Sequence, residues 1–270
     1  MKIAVFYENI MEGVTKEGLE EEKVLEELAG LGMELVYISY EALEERKDFL
    51  LPLFSKLGLK VEGLHWAFDF GQSPEAESYR KAVDLAKEAG AGSLLIVPGM
   101  ISEEKKGDRE RIRNNMKTAL SKAVRYGEER GITVCMEDYD SMEAPYHCVE
   151  ELEWFLEQVS GLRCCFDTGN FVVCHEDELE AFHRLRSRIC TLHLKDRAMT
   201  KGNPGDGQVV CADGAVMYPA PVGGGCMKIA EILQELKKDG YAGNVVVELF
   251  DYAQTLAGLK QSVAWVKELL

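Results

Sequence analysis

No apolar run in this chain approaches the ~20 residues that a membrane-spanning helix needs. No two of its cysteines are spaced C-x-x-C, which leaves no ready metal or redox pair. No cluster of Lys and Arg stands against a formal charge of −16, and so acidic a balance repels nucleic-acid phosphates and, more weakly, any strongly anionic substrate. No Gly-, Ser- or Pro-rich linker divides the 270 residues. These absences exclude a membrane protein, a nucleic-acid binder and a tandem of domains. They leave one soluble domain over residues 1–270, with the 46% hydrophobic and 29% charged content of an ordinary globular protein. The opening stretch from Met1 to Tyr7 is too short for a signal peptide and is followed by Glu8 and Glu12, so it reads as a first strand. The eight cysteines (Cys135, Cys148, Cys164, Cys165, Cys174, Cys190, Cys211 and Cys226) read as small core hydrophobes, and free thiols in this number point to a reducing cytoplasm.

What is present is alternation. Strand-like runs at residues 2–7, 33–38, 59–66, 93–97, 132–137, 162–167, 189–193 and 244–248 are separated by segments with apolar residues at helical spacing. Leu19, Val24, Leu25, Leu28 and Leu31 form the first such stripe, and Leu43, Phe49, Leu50, Leu53, Phe54 and Leu57 the second. Ser73 and Pro74 mark the entry of a third helix, and Pro145 that of a fifth, since proline suits the first helical position. Eight strand–helix units in this order imply a closed (β/α)8 TIM barrel. One segment breaks the rhythm. Some thirty residues rich in Gly and Pro follow His193, and within them residues 208–211 and 215–218 flank Ala212-Asp213-Gly214 as a hairpin. A connection that long is expected to fold over the barrel mouth or to meet another subunit there.

Four of the strand runs end in a residue that binds hard metal ions: Glu137, Asp167, His193 and Glu248. Any one of these acids alone would as readily cap a loop or pair with a lysine. Four on consecutive strands, each at the C-terminal end where barrels build their active sites, point to one divalent ion. An oxygen-rich donor set suits Mn²⁺, with Mg²⁺, Co²⁺ or Zn²⁺ as substitutes.

The segments Cys135-Met136-Glu137-Asp138, Phe166-Asp167-Thr168-Gly169-Asn170, Leu192-His193-Leu194-Lys195-Asp196 and Val246-Val247-Glu248-Leu249 resemble the sugar phosphate isomerase/epimerase superfamily. Its members are xylose isomerase-like TIM barrels, D-tagatose 3-epimerase-type enzymes and inosose dehydratases among them. The resemblance implies that Glu137, Asp167, His193 and Glu248 hold the metal and that Glu137 and Glu248 are also the catalytic acid/base pair. One position departs: Asn170 stands where the family commonly has His. Asn can donate a hydrogen bond to a sugar hydroxyl but carries no proton at neutral pH.

The chemistry such a site suits is proton movement next to a carbonyl, in which a metal stabilises the enediolate and two carboxylates give and take the proton. Return of the proton to the other face is epimerisation, transfer to the adjacent carbon is isomerisation, and loss of a β-hydroxyl is dehydration. The substrate expected is a small sugar, contacted by His65, Trp66, Asn170, Lys195, Arg197, Tyr7 and Glu8 at the strand ends. Lys195 and Arg197 would otherwise simply balance Asp196. Gly223-Gly224-Gly225 ahead of a helix reads as a tight turn before it reads as a phosphate cradle. A DNA-repair endonuclease on the same barrel needs a trinuclear cluster with several more histidines, and Val97-Pro98 and Asn170 stand where such ligands belong. A sugar-binding or scaffold subunit has no need of converging acids. Nothing in the acidic helices forbids a homo-oligomer.

Overall fold

Strand alternation and short connections produce eight parallel strands: β1 (Ile3–Phe6), β2 (Met33–Ser39), β3 (Lys60–Ala67), β4 (Ser93–Val97), β5 (Thr133–Met136), β6 (Arg163–Asp167), β7 (Ile189–Ala198) and, after a hairpin of β8 (Val209–Val210) and β9 (Val216–Ala220), β10 (Val245–Glu248). The computed structural model describes residues 1–270 apart from the side chain of Glu103. β10 pairs in parallel with both β1 and β7, so the sheet closes on itself and leaves no open edge among these eight strands. Helices α1 (Tyr7–Glu17), α2 (Glu21–Leu31), α3 (Tyr40–Lys56), α4 (Tyr79–Glu88), α5 (Arg109–Glu128), α6 (Val149–Gln158), α7 (Glu178–Leu185), α8 (Ile229–Lys238) and α9 (Thr255–Leu269) lie outside it. No helix among the described residues is long and apolar enough to cross a membrane.

The period-two side-chain alternation separates two cores. Ala4, Phe6, Leu35, Tyr37, Leu95, Cys135, Cys165 and Val246 point into the barrel. Their strand neighbours, such as Val5, Val36, Leu94, Ile96, Val134, Phe166, Leu192 and Val247, point outward and meet the apolar stripes of the helices. Each buried Leu, Ile, Val or Phe of that outer layer contributes roughly 1.5–3 kcal/mol from area removed from water. α1 and α9 approach so closely that a Cβ on Gly13 would lie 2.4 Å from Leu256.

Three helix starts differ from the sequence expectation. The first stripe is carried by α2, which opens at Glu21, and a further helix precedes it: α1 begins directly at Tyr7, buries Ile10 and Val14, and ends at Gly18 in the left-handed region. Leu19 falls in the break and is 47% exposed. Ser73 and Pro74 sit in a run of turns, where Ala76 N–H donates to Ser73 O and α4 opens only at Tyr79. Pro145 also lies in a turn, and α6 opens at Val149. In both places proline serves the turn that precedes the helix, a position it suits equally well.

The hairpin after β7 is present, with Val209 opposite Met217 and Val210 opposite Val216. β7 itself runs on to Ala198, where its last three residues pair antiparallel with β9.

Candidate active site

Register and alternation bring the four strand-end residues together. Asp167 lies beside His193 in the β6–β7 ladder, and Glu248 lies beside Lys195 in the β7–β10 ladder. One ligand atom each from Glu137, Asp167, His193 and Glu248 falls within 4.8 Å of the others. All four are buried; Glu137, at 8%, is the most exposed. Nδ1 of His193 is 3.0 Å from Oε2 of Glu137 and 3.1 Å from Oε2 of Glu248. Yet both ring nitrogens, Oε2 of Glu137 and Oδ2 of Asp167 have no aligned hydrogen-bond partner. Buried polar atoms left unpaired are costly and rare in folded proteins. Atoms that converge without hydrogen-bond alignment are what a divalent cation requires, so the residues fit the group their chemistry implies.

Lys195 stands among the carboxylates. β7 continues past His193, so period two turns Lys195 and Arg197 to the same side as the histidine. The Lys195 ammonium is 2.5 Å from Oε1 of Glu248, 3.2 Å from Oδ2 of Asp167, and donates to Oδ1 of Asn170 at 2.9 Å. Asn170 in turn donates to the backbone carbonyl of Asp138 at 3.1 Å. Asn170 therefore lines the cavity with its amide already engaged, and it orients Lys195.

These contacts drive the acids apart. Burial pushes Asp167 up to about 7 against the pull of Lys195, with Glu248 and Glu137 adding to the rise. Burial would raise Glu248 too, but Lys195 and His193 bring it down to about 2. For His193 burial favours the neutral ring, and the Glu137 and Glu248 carboxylates overcome it to reach about 10. Asp138, wholly buried with both oxygens unpartnered, is pushed well above the carboxylate range by burial and then by Asp167 and Glu137.

A cavity of about 490 Å³ opens above this cluster. Phe6, Leu95, Val97, Tyr139 and Phe250 line one part of its wall, and His65, Asp140, Asn170, Lys195 and Arg197 line another. Arg197 is held by Gly169 O and Asp140, both at 2.6 Å. His65 stacks on Tyr37 and lies 3.3 Å from Glu8, whose other oxygen accepts from Ser39 N–H. Burial would raise Glu8, but His65 and Ser39 hold it below its ordinary value. Glu8 therefore reaches the site through His65, since it is not part of the cavity wall.

Two sequence candidates point elsewhere. Tyr7 follows the inward Phe6 and turns out, where its hydroxyl meets Glu21 and Arg46 and its ring packs on Phe54. Trp66 follows the inward His65 and stacks on Tyr40 at 4.1 Å. At Trp66 one step along the strand reverses the face, and at Tyr7 the chain has already left β1 for α1.

The Gly-rich turn is closed to phosphate. Asp196 accepts from the backbone N–H of Gly223, Gly225, Met227 and Arg197 at 2.9–3.1 Å. A Cβ on Gly225 would lie 2.2 Å from the Asp196 carboxylate, so glycine is required there. Asp196 is thus committed to the backbone, and the Arg197 guanidinium beside it is balanced by Asp140 instead.

A family model of the xylose isomerase-like TIM barrel matches residues 25–269. The chain belongs to that family. Solved structures similar to this xylose isomerase-like barrel include the IOLI protein with a bound zinc atom (17% identity, TM-score 0.75, 100% of this chain and 98% of that one). A D-allulose 3-epimerase from Methylomonas sp. is similar at 16% identity and TM-score 0.72, over 100% and 98% of the two chains. The probable 3-DHS dehydratase AsbF from Bacillus anthracis is similar at 15% identity and TM-score 0.71, over 99% of each. No curated protein sequence matches the chain.

The long connection of this xylose isomerase-like barrel folds over the mouth. Gln208, Val209 and Pro219 line the cavity. Gly207 N–H donates to Asp251 O, Ala253 N–H to Asp206, Ala212 N–H to Val173 O, and Asp213 N–H to His175 Nε2. His175 and Asp251 are the two non-glycine residues with positive φ among those described, at 61° and 58°. Left-handed backbone at such residues carries strain, and here both occur where the connection docks. Sequence reasoning missed Asp138 and Asp140, although the acidic run after Glu137 was a signal for them. It also missed Gln208, Phe250 and Asp251, which are loop residues with no local signature.

Proposed function

We propose that this protein is a divalent-metal-dependent isomerase or epimerase of a small carbohydrate, with Glu137 and Glu248 carrying the proton. The observation that carries the reading is the buried convergence of Glu137, Asp167 and His193, with atoms that no aligned hydrogen bond engages, beside Glu248 under an open cavity. A cavity of this size suits a monosaccharide-sized ligand. The reading draws further support from a D-allulose 3-epimerase and a zinc-containing barrel among the similar folds.

Glu137 and Glu248 reach the cavity from β5 and β10, on either side of His193. A substrate carbon placed between them meets one carboxylate as base and the other, protonated, as acid. A divalent ion in this donor set, Mn²⁺ by its oxygen-rich character, supplies charge stabilisation for the oxyanion that develops as the proton leaves. Lys195 and Arg197 hold hydroxyls of the substrate, and the apolar wall from Phe6 to Phe250 keeps water from the carbanionic carbon.

Dehydration is the second reading, favoured by one observation. The Lys195 ammonium projects into the cavity wall 2.5 Å from Glu248, where it can donate a proton to a departing hydroxyl. The AsbF fold likeness is in keeping with it.

The test is a screen of free ketoses and polyhydroxy ketones with Mn²⁺ in deuterated water, read by NMR. An epimerase or isomerase returns a product with deuterium at the reacting carbon, and a dehydratase returns one lacking water. Turnover at full rate with no deuterium entering, where entry is observable, points to hydride transfer and overturns the acid/base assignment.

A further inference from the structure

The floor of the site is chemically soft where its walls are hard. Cys165 lies two residues before Asp167 on β6, so alternation turns both into the barrel. The thiol is fully buried. The interior thiols of Cys135 and Cys190 donate to Leu94 O at 3.7 Å and Cys164 O at 3.4 Å, whereas Cys165 donates to nothing among the described residues. Its sulfur, a carboxylate oxygen of Glu137 and a ring nitrogen of His193 lie within 4.8 Å of one another. Oε2 of Glu137 and both nitrogens of His193 are buried with no aligned hydrogen bond, so two of the three groups keep donor atoms free for a ligand.

Thiolate, imidazole and carboxylate form a donor set unlike the four-residue one. It is the set zinc prefers, and thiolate selects thiophilic ions over Mn²⁺ or Mg²⁺. Lys195 separates the two positions further. Its ammonium contacts Asp167 and Glu248, which belong only to the oxygen-rich set. An ion on the other three side chains has no ligand in common with that ammonium.

We propose that Glu137, Cys165 and His193 form a second, deeper metal position that takes a thiophilic divalent cation such as Zn²⁺, Cd²⁺ or Co²⁺. The proposal rests on the metal reading of the site in sharing Glu137 and His193 with it. Because those ligands are shared, the two positions exclude one another, and a thiophilic ion competes with Mn²⁺ by withdrawing Glu137 and His193 from the upper set. Binding exchanges the thiol proton, and the proton on the His193 nitrogen that takes the ion, for that ion and releases both to solvent. The thiolate and carboxylate then balance the two positive charges.

The test is addition of Co²⁺ to the metal-stripped, full-length protein, followed by absorption spectroscopy. The expected result is a sulfur-to-cobalt charge-transfer band in the near ultraviolet that saturates at one cobalt per chain. The band is lost in Cys165→Ser and kept in Cys135→Ser and Cys190→Ser. Should Cys165→Ser fail to fold, cadmium NMR of the native protein reads sulfur coordination without any substitution, and a shift typical of oxygen and nitrogen donors alone overturns the proposal. Binding of Mn²⁺ and Co²⁺ with no charge-transfer band also overturns it and leaves the four-residue site standing. Binding of neither ion overturns both.

Discussion

The first four strands of the barrel and the last four end at the same mouth with opposite chemistry. From β1 to β4 the inward residues near the mouth are Phe6, Tyr37, His65, Leu95 and Val97. They pack on one another: Phe6 is 4.9 Å from Tyr37, and Tyr37 stacks on His65 at an interplanar angle of 8°. From β5 onward the ends carry Glu137, Asp167, His193 and Glu248, with buried atoms that lack partners. The halves meet at His193, which Phe6 and Tyr37 touch edge-on at 4.8 and 4.9 Å. The lesson is a division of labour. The aromatic half supplies packing and fixes the ring, while the acidic half forgoes stability to keep donor atoms free, as functional sites generally do.

The division is broken most severely by charge. Glu137→Gln and Glu248→Gln should each lower kcat by about 10²–10⁴-fold, the usual scale of general acid–base catalysis. In metal-free protein the thermal midpoint should hold or rise for Glu137→Gln, which removes a charge beside Asp138 and Asp167, and should fall for Glu248→Gln, which takes a partner from the buried Lys195 ammonium. Parallel kinetics and calorimetry check this, and a Glu137→Gln protein that unfolds would show that the acidic half is structural after all. Phe6→Ala reverses the pattern. Truncating a buried aromatic costs about 3–5 kcal/mol, so denaturant unfolding should record a large loss of stability.

That contrast also explains what was legible in the sequence. The barrel was legible because alternation of strand and helix periods is local. The four acidic-half residues were legible because each is a polar residue ending an apolar run. Which of two neighbours faces inward was not legible at Trp66, where both adjacent residues are aromatic and only the register decides, nor at Tyr7, where the strand gives way at once to α1. The role of Asp196 was hidden for another reason. It accepts four backbone N–H groups, three of them between Gly223 and Met227, and no local pattern announces a contact across that distance. Asn170 was noticed as a departure, but its work of orienting Lys195 depends on a fold-level neighbour.

The connection over the mouth lets the comparison be sharpened. Replacing residues 200–213 by a short Gly/Ser turn removes the Asp206 and Gly207 anchors together with Gln208 and Val209. Metal binding should stay near normal, since no candidate ligand lies in the segment. The ratio kcat/KM should fall by up to about 10²-fold, the scale of a small misplacement of substrate. Isothermal titration of Mn²⁺ beside steady-state kinetics checks both, and unchanged kinetics would make the connection irrelevant to turnover. A smaller effect is expected at Tyr37, whose hydroxyl is buried without a partner. Tyr37→Phe removes a group whose burial costs about 1–3 kcal/mol, so stability should be equal or higher, read as a chemical-denaturation midpoint that does not fall.

The smallest effect lies outside the mouth, at the ion pair of His147 with Glu151. His147 Nδ1 is 2.9 Å from Oε2 of Glu151, and Arg109 holds the other carboxylate oxygen. The Glu151 carboxylate raises His147 above 6.5 against the opposing effect of burial, with Ala144 O adding to the rise. Burial would raise Glu151, but His147 and Arg109 bring it below 4.5. A histidine with a raised folded value contributes stability that is complete below pH 6.5 and is lost as pH climbs through that raised value. A glutamate with a lowered value contributes above pH 4.5 and loses it as pH falls through the lowered one. The pair therefore stabilises the protein between those limits and little outside them. In His147→Gln the thermal midpoint should lie below that of the native protein between pH 4.5 and 6.5, and the two profiles should converge on the alkaline side as the native histidine loses its proton. A gap that persists unchanged into alkaline solution would assign the effect to packing of the ring, and the charge reading of this pair would fail.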